Sequence, residues 1–339
     1  MNNKSNRCLI GAVLTCALLA TSLLTPGCTK KKAEEGGGTA AAPAKLMKLA
    51  FVTNNTSEFW KIAQAGVRKY EKEGKVQVDV KLPPNGTPED QNQILQNLSS
   101  QGYDSIAVSV IAPNDQTGVL NKIAEKSNLI TFDSDAPKSN RLLYIGTNNY
   151  EAGKVLGKEI VRLLPHGGKI AVFVGTFSAD NAAQRFKGIE DAIAGAGIKV
   201  IDKREDNTDR AKARANVEDI VNANRDLSLV VGLYNYNGTA IAAALEGLGK
   251  KGKVLAAVFD EDDGTLDGIA AGSIQATVVQ KPFQFGYLAS KWMHDLAKDP
   301  AAAKAALPAN HSIDTGVDLI TKENVAAFRA QLVEMKKAQ

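Results

Sequence analysis

The chain has 339 residues, a length that suits two domains better than one core. It is 44% hydrophobic and 23% charged, and its formal net charge of +4 is matched by Lys4, Arg7, Lys30, Lys31 and Lys32 near the N-terminus. The remainder is close to neutral, which excludes the basic surface that nucleic acid requires and favours a small ligand.

The first segment reads as an export signal. Met1 to Arg7 carries two positive charges, Leu9 to Leu24 is apolar without a charge, and LLTPGC ends at Cys28. The apolar run, about sixteen residues long, is short for a membrane span. Gly27-Cys28 resembles the lipobox of bacterial lipoproteins, in which the Cys becomes the lipidated first residue. Plain cleavage nearby and an uncleaved anchor are the alternatives. Cys8 and Cys16 lie inside the signal, so the body has no thiol for a disulfide, a zinc site or a nucleophile. TKKKAEEGGGTAAAPAK then reads as a flexible tether.

From Lys48, strands and helices alternate. KLAFVT is a buried strand; Phe59, Ile62, Ala63, Gly66, Val67 and Tyr70 mark one face of a helix, a stripe that includes Phe59 and leaves Trp60 for another surface. VQVDVKL, the helix TPEDQNQILQNLSSQG, SIAVSV, a helix from about Asp115, LITFD, LLYIGT and a helix near Tyr150 to Leu164 follow. A second series opens with KIAVFVG and continues through the helix SADNAAQRFKGIEDAIAGAG, KVIDKRE, a helix from Asp209 and LSLVVGLYN. An Ala- and Leu-rich helix, KVLAAVFD, a helix to Gly272, IQATVVQ and a helix through Trp292 complete it. Strand–helix alternation predicts parallel sheets with helices on both faces, here α/β with two doubly wound Rossmann-like lobes. The expected division is a signal at 1–28, a tether at 29–47, an N-terminal lobe at 48–147 plus about 281–315, and a C-terminal lobe at 148–280 plus about 316–339.

Two strands end alike: ITFDSDAP stops on Asp133 and AAVFDEDDG on Asp260. In open parallel sheets ligands collect at the carboxyl ends of strands, so lobes that face each other bring both carboxylates to one cleft. Catalysis is poorly supported. The chain has no Gly-x-Ser-x-Gly elbow and no Walker loop, and His166, His294 and His311 are scattered. Asp135, Glu261, Asp262 and Asp263 lack the regular spacing of a calcium loop and suit helix capping. No metal or organic cofactor is expected. A polyhydroxylated ligand fits better: a carboxylate accepts from two adjacent hydroxyls, and an aromatic such as Trp60 or Phe59 offers a platform for the flat face of a sugar ring.

Seven pieces in order, FVTNNTSEFW, ITFDSDAP, YIGTNNYEAG, ADNAAQRFKG, GLYNYNG, VFDEDDG and QATVVQKP, resemble the type I periplasmic sugar-binding proteins of ABC importers. That resemblance covers Lys48 to about Thr321. It implies two lobes joined by a three-strand hinge that close on a monosaccharide or similar polyol, an ABC permease of the inner membrane as partner, and a monomer held at the periplasm or cell surface through Cys28. It also implies site residues: Asp133 from the first lobe, Arg185, Asn235 and Asp260 from the second, Gln280 near the hinge, Phe59 and Trp60 as stacking aromatics, and Ser57 or Thr53 before them. Ribose binders commonly present Arg where Ser134 stands. The aromatic expected near Asn207 or Thr208 is replaced by polar residues, with Tyr236 as the candidate substitute. The same fold serves the lactose-repressor family, but the signal and tether occupy the place of its helix-turn-helix. A sensing role beside a membrane histidine kinase or chemoreceptor is the alternative to import.

Overall fold

The computed structural model describes residues 46–57 and 59–337; the signal segment and Cys28 lie outside them. The first series runs β1 (Leu49–Val52), α1 (Phe59–Gly74), β2 (Val78–Lys81), α2 (Pro88–Ser100), β3 (Ser105–Val108), α3 (Pro113–Ala124), β4 (Asn128–Phe132) and β5 (Leu143–Gly146). The second runs α4 (Asn149–Leu163), β6 (Gly168–Val174), α5 (Asp180–Ile193), β7 (Ile198–Glu205), α6 (Arg210–Ala223), β8 (Leu227–Gly232), α7 (Asn235–Gly247), β9 (Leu255–Phe259), α8 (Asp263–Ala271) and β10 (Ala276–Val279). The chain then adds α9 (Pro282–Lys298), α10 (Pro300–Ala305), β11 (Ser312–Asp314), β12 (Asp318–Thr321) and α11 (Val325–Lys337).

These strands form two sheets, ordered β11-β5-β4-β3-β1-β2 and β12-β10-β9-β8-β6-β7. Each is parallel except that β12 runs antiparallel to β10. β1, β3 and β5 are buried along their whole length, as strands covered by helices on both faces must be. Among the described residues the chain passes between the sheets three times, after Gly146, after Val279 and between Asp314 and Asp318.

Local chemistry fixes the helix starts that face the cleft. Asn148 caps α4 through the N–H of Glu151 (3.1 Å), and Asp262 caps α8 through the N–H of Thr265 (2.6 Å). Each lobe is closed by a tight helix pair. A Cβ on Gly286 of α9 would lie 1.9 Å from the carbonyl oxygen of Ala63 in α1, and one on Gly153 of α4 would lie 2.1 Å from that of Arg185 in α5. Only glycine permits backbones this close. The helix after each of the first two crossings therefore locks onto a neighbouring helix of the lobe it enters, α4 onto α5 and α9 onto α1.

Candidate functional site

The strand-end acids are built alike. Asp133 and Asp260 both take left-handed backbone conformations, with φ of 57° and 64°. Asp133 N–H donates to Ile145 of β5 (3.0 Å), and Asp260 N–H donates to Val278 of β10 (2.8 Å). The carbonyl of Asp133 accepts from the Tyr144 hydroxyl (2.9 Å), and that of Asp260 from the Thr277 hydroxyl (2.7 Å). Left-handed conformations are costly away from glycine, and these hydrogen bonds hold them, turning each carboxylate off the end of its sheet.

Both acids line one cleft of about 1830 Å³, together with Ser57, Phe59, Trp60, Ser134, Arg185, Asn235 and Gln280. The volume exceeds the usual range for a small-ligand pocket. Their charge environments differ. Asp260 meets Arg185 Nη1 at 3.4 Å and accepts from Gln280 Nε2 at 2.8 Å. Arg185 is almost wholly buried; its Nε donates to Asn149 (2.9 Å), its Nη1 to the carbonyl of Leu233 (2.7 Å), and its guanidinium lies 4.5 Å from the centre of the Phe259 ring. Among the described residues Asp133 has only neutral donors, Ser109 Oγ at 2.8 Å and Asn54 Nδ2 at 3.5 Å. Its carboxylate opens on the cleft, but the surrounding walls strip enough water to push its pKa up to about 6. The charge of Asp260 adds to that rise, while Ser109 and Arg185 oppose it.

The aromatic wall corrects the sequence reading. Trp60 is the buried member: its ring packs edge-on against Phe132 (5.8 Å), and its Nε1 donates to the side-chain oxygens of Asn54 (3.2 Å) and Asn55 (3.0 Å). Phe59 is the half-exposed ring. The buried face of α1 is Trp60, Ile62, Ala63, Ala65, Gly66, Val67 and Tyr70, so the predicted stripe holds from Ile62 to Tyr70 and Trp60 replaces Phe59 at its start, where the indole ties the preceding turn to the core. Thr53 is also displaced from its expected place. It is fully buried, and its hydroxyl donates to the carbonyl of Asn55 (2.8 Å), shaping the turn and not the cleft surface. Asn235 donates to the carbonyl of Glu261 (2.9 Å) and thus braces the turn after β9. Asn54 and Ser109, which set Asp133, and Asn149, which sets Arg185, were missed by reading the sequence; Asn54 and Asn149 stand inside the quoted segments FVTNNTSEFW and YIGTNNYEAG.

Glu261, one residue beyond Asp260, is buried with its Oε2 lacking a hydrogen-bond partner, and burial followed by the charge of Asp260 holds its carboxyl well above the usual range. Asp262 serves as the cap of α8, and Asp135 pairs with Arg141 at 2.5 Å. Among the described residues, no group of three or more His, Cys, Asp or Glu side chains could hold a metal ion.

Residues 49–301 match the sequence profile described as a periplasmic binding protein domain. The chain belongs to the periplasmic binding protein family. A ribose import binding protein of Escherichia coli (strain K12) is 28% identical over 216 residues, 61% of this chain and 70% of that protein. An ABC transporter solute-binding protein from Burkholderia graminis, solved in complex with D-arabinose, is 30% identical with a TM-score of 0.78, covering 84% of this chain and 99% of that one. The XylFII–LytSN complex contains a chain 26% identical, with a TM-score of 0.72 over 82% of this chain and 99% of that one. This binding protein thus shares the two-lobed type I architecture, and no helix among its described residues is long and apolar enough to cross a membrane.

Proposed function

We propose that this protein is the substrate-binding component of a sugar ABC importer, capturing a monosaccharide or similar polyol between its lobes. The observation that carries the reading is the convergence of Asp133 and Asp260, one from each sheet, on a single cleft. Ring hydroxyls donate to both carboxylates, Arg185 donates to a ligand oxygen, and Gln280 reports from the crossing after β10. Such a ligand binds the closed arrangement better than the open one and shifts the population toward it. The closed form is what a membrane permease recognises. Hydroxyl-to-carboxylate hydrogen bonds are charge-assisted, which suits a neutral, hydroxyl-rich ligand.

The named relatives are binding proteins, and at family level the chain is a binder and not an enzyme. Cys28 is the proposed lipid anchor, and Cys28→Ser should release the protein from the membrane fraction. A second reading, ligand sensing through a partner protein, draws on the XylFII–LytSN complex. Thermal-shift screening of the purified protein against monosaccharides, inositols and nucleosides tests the main reading. A stabilising sugar or inositol supports it; stabilisation by nucleosides alone contradicts it.

A further inference from the structure

The acceptor side of the first lobe is held by an amide that does not itself line the cleft. Gln91, the fourth residue of α2, is fully buried and uses every hydrogen bond an amide can make. Its Nε2 donates to the carbonyls of Thr53 (2.9 Å) and Ser109 (2.7 Å), just past the ends of β1 and β3. Its Oε1 accepts from the N–H of Ile111 (3.2 Å) and from Nε2 of Gln116 (3.1 Å) on α3. Gln116, also buried, accepts from the N–H of Ala112 (2.8 Å) and donates to Asn92 Oδ1 (2.8 Å). Gln91 thus ties two strand ends to the loop 110–112, whose residues line the cleft.

What this amide holds is the support of Asp133. Thr53 is followed by Asn54, whose Nδ2 donates to Ser109 Oγ (3.1 Å), and that hydroxyl donates in turn to Asp133 Oδ2 (2.8 Å). The two backbone carbonyls that Gln91 fixes therefore belong to Ser109 and to the chain neighbour of Asn54, the groups that donate to Asp133. The fold does not demand an amide at this place. Sheet order sets β7 and α6 in the second lobe where β2 and α2 stand in the first, and the fourth residue of α6 is Ala213, also buried. Asp260 has Arg185 beside it and is held without such an amide. Asp133, whose donors among the described residues are neutral, depends on where those donors are kept.

We propose that Gln91 is a positioning residue for sugar binding, fixing Ser109 and Asn54 and, through them, the orientation and acceptor strength of the Asp133 carboxylate. The inference rests on the sugar-binding reading above and deepens it, because it gives a residue outside the cleft control of one ligand contact. A buried network with every bond made is rigid, whereas one with a member removed leaves unpaired polar groups that must move. Without Gln91 the carbonyls of Thr53 and Ser109 turn toward other donors and Ser109 Oγ leaves Asp133. The carboxylate then loses the hydrogen bond that opposes its rise in pKa. The other titratable groups facing Asp133 are Asp260 and Arg185, with the Tyr144 hydroxyl on its carbonyl, and Gln91 bonds to none of them.

The test applies two readouts to the whole protein. Carbon NMR follows the titration of its aspartate carboxyls, with Asp133→Asn identifying the Asp133 signal. Calorimetry measures binding of D-ribose, D-xylose, L-arabinose, D-galactose and myo-inositol. Gln91→Met, similar in length but without hydrogen bonds, should raise the Asp133 midpoint above its wild-type value of about 6. It should also weaken the best-binding probe about tenfold, the effect of one lost bond to a charged acceptor. In a Ser109→Ala background the same change should move neither readout further, because both act on one bond. Gln116→Met removes a single bond to Gln91 and should shift both readouts the same way by less, so the prediction stands to be tested even if Gln91→Met does not fold. A merely structural Gln91 would lower the unfolding midpoint and leave the Asp133 midpoint and the Kd of the folded protein unchanged. That result, or additive shifts in the Ser109→Ala background, overturns the proposal and leaves the sugar reading intact. Failure of every probe to bind the wild type overturns the sugar reading, and the Asp133 midpoint in the variants then decides whether Gln91 positions that acid.

Discussion

The two lobes repeat one plan and differ at one charge. Gly66 of α1 packs against Phe283 of α9 as Gly188 of α5 packs against Tyr150 of α4, with a built Cβ 2.0 and 2.1 Å from the respective carbonyl oxygens. Three residues before each of those glycines stand Ala63 in the first lobe and Arg185 in the second. Equivalent backbone thus carries a methyl on one side of the cleft and a guanidinium on the other. The consequence falls on the strand-end acids, which share the same left-handed turn and the same backbone partners. Asp260 has its cation in place. Asp133 has none among the described residues and sits with a raised pKa. One strand-end acid is therefore electrostatically complete, and the other is left incomplete.

The largest expected effect comes from breaking the complete side. Asp260→Ala leaves Arg185 buried without its carboxylate and should lower unfolding free energy by about 3–5 kcal/mol in chemical denaturation. The same change should abolish ligand-induced stabilisation in a thermal shift. Breaking the shared plan comes next. Gly286→Ala and Gly153→Ala each force a methyl into a backbone carbonyl and should cost about 1–3 kcal/mol or more. Similar losses in both would show that the helix pairs are equivalent; a loss in one alone would show that they are not.

The incomplete side should announce itself through pH. The Asp133 pKa is raised from 3.8 to about 6, so the folded state favours the neutral acid. Its contribution to stability is fully present below pH 3.8 and is lost as pH rises through about 6. Asp133→Asn should flatten that part of the stability profile by on the order of 2 kcal/mol, the value allowing for its opening onto solvent. Ligand affinity should run the other way, weakening as pH falls through about 6 and the acceptor is protonated. Calorimetry across that range on both proteins checks the pair of trends. The smallest effect is expected from Lys291→Ala on α9, where the exposed pair with Asp295 should contribute under about 0.5 kcal/mol.

Much of this plan was legible in the sequence because it is written as period and punctuation. Apolar runs that stop on Phe-Asp located both acids, since a buried strand must end where the carboxylate begins. The shorter elements were not legible. SID at β11 is too short and too polar to read as a strand, and PAAAKA at α10 is a single run without amphipathic spacing. Trp60 does line the cleft, but its burial was not legible, because a stripe read from Phe59 fits nearly as well as one read from Trp60; what decides it is the indole N–H reaching Asn54 and Asn55. The bracing of Asp133 by Ser109 joins the ends of the neighbouring strands β3 and β4, a contact that the pairing of those strands creates.

A crystal structure with the sugar or inositol that gives the largest thermal shift tests the central claim most directly. Ring hydroxyls are expected within about 3.2 Å of the carboxylates of both Asp133 and Asp260, in a narrower cleft. A ligand held against one lobe alone, with the other acid left to solvent, would contradict it.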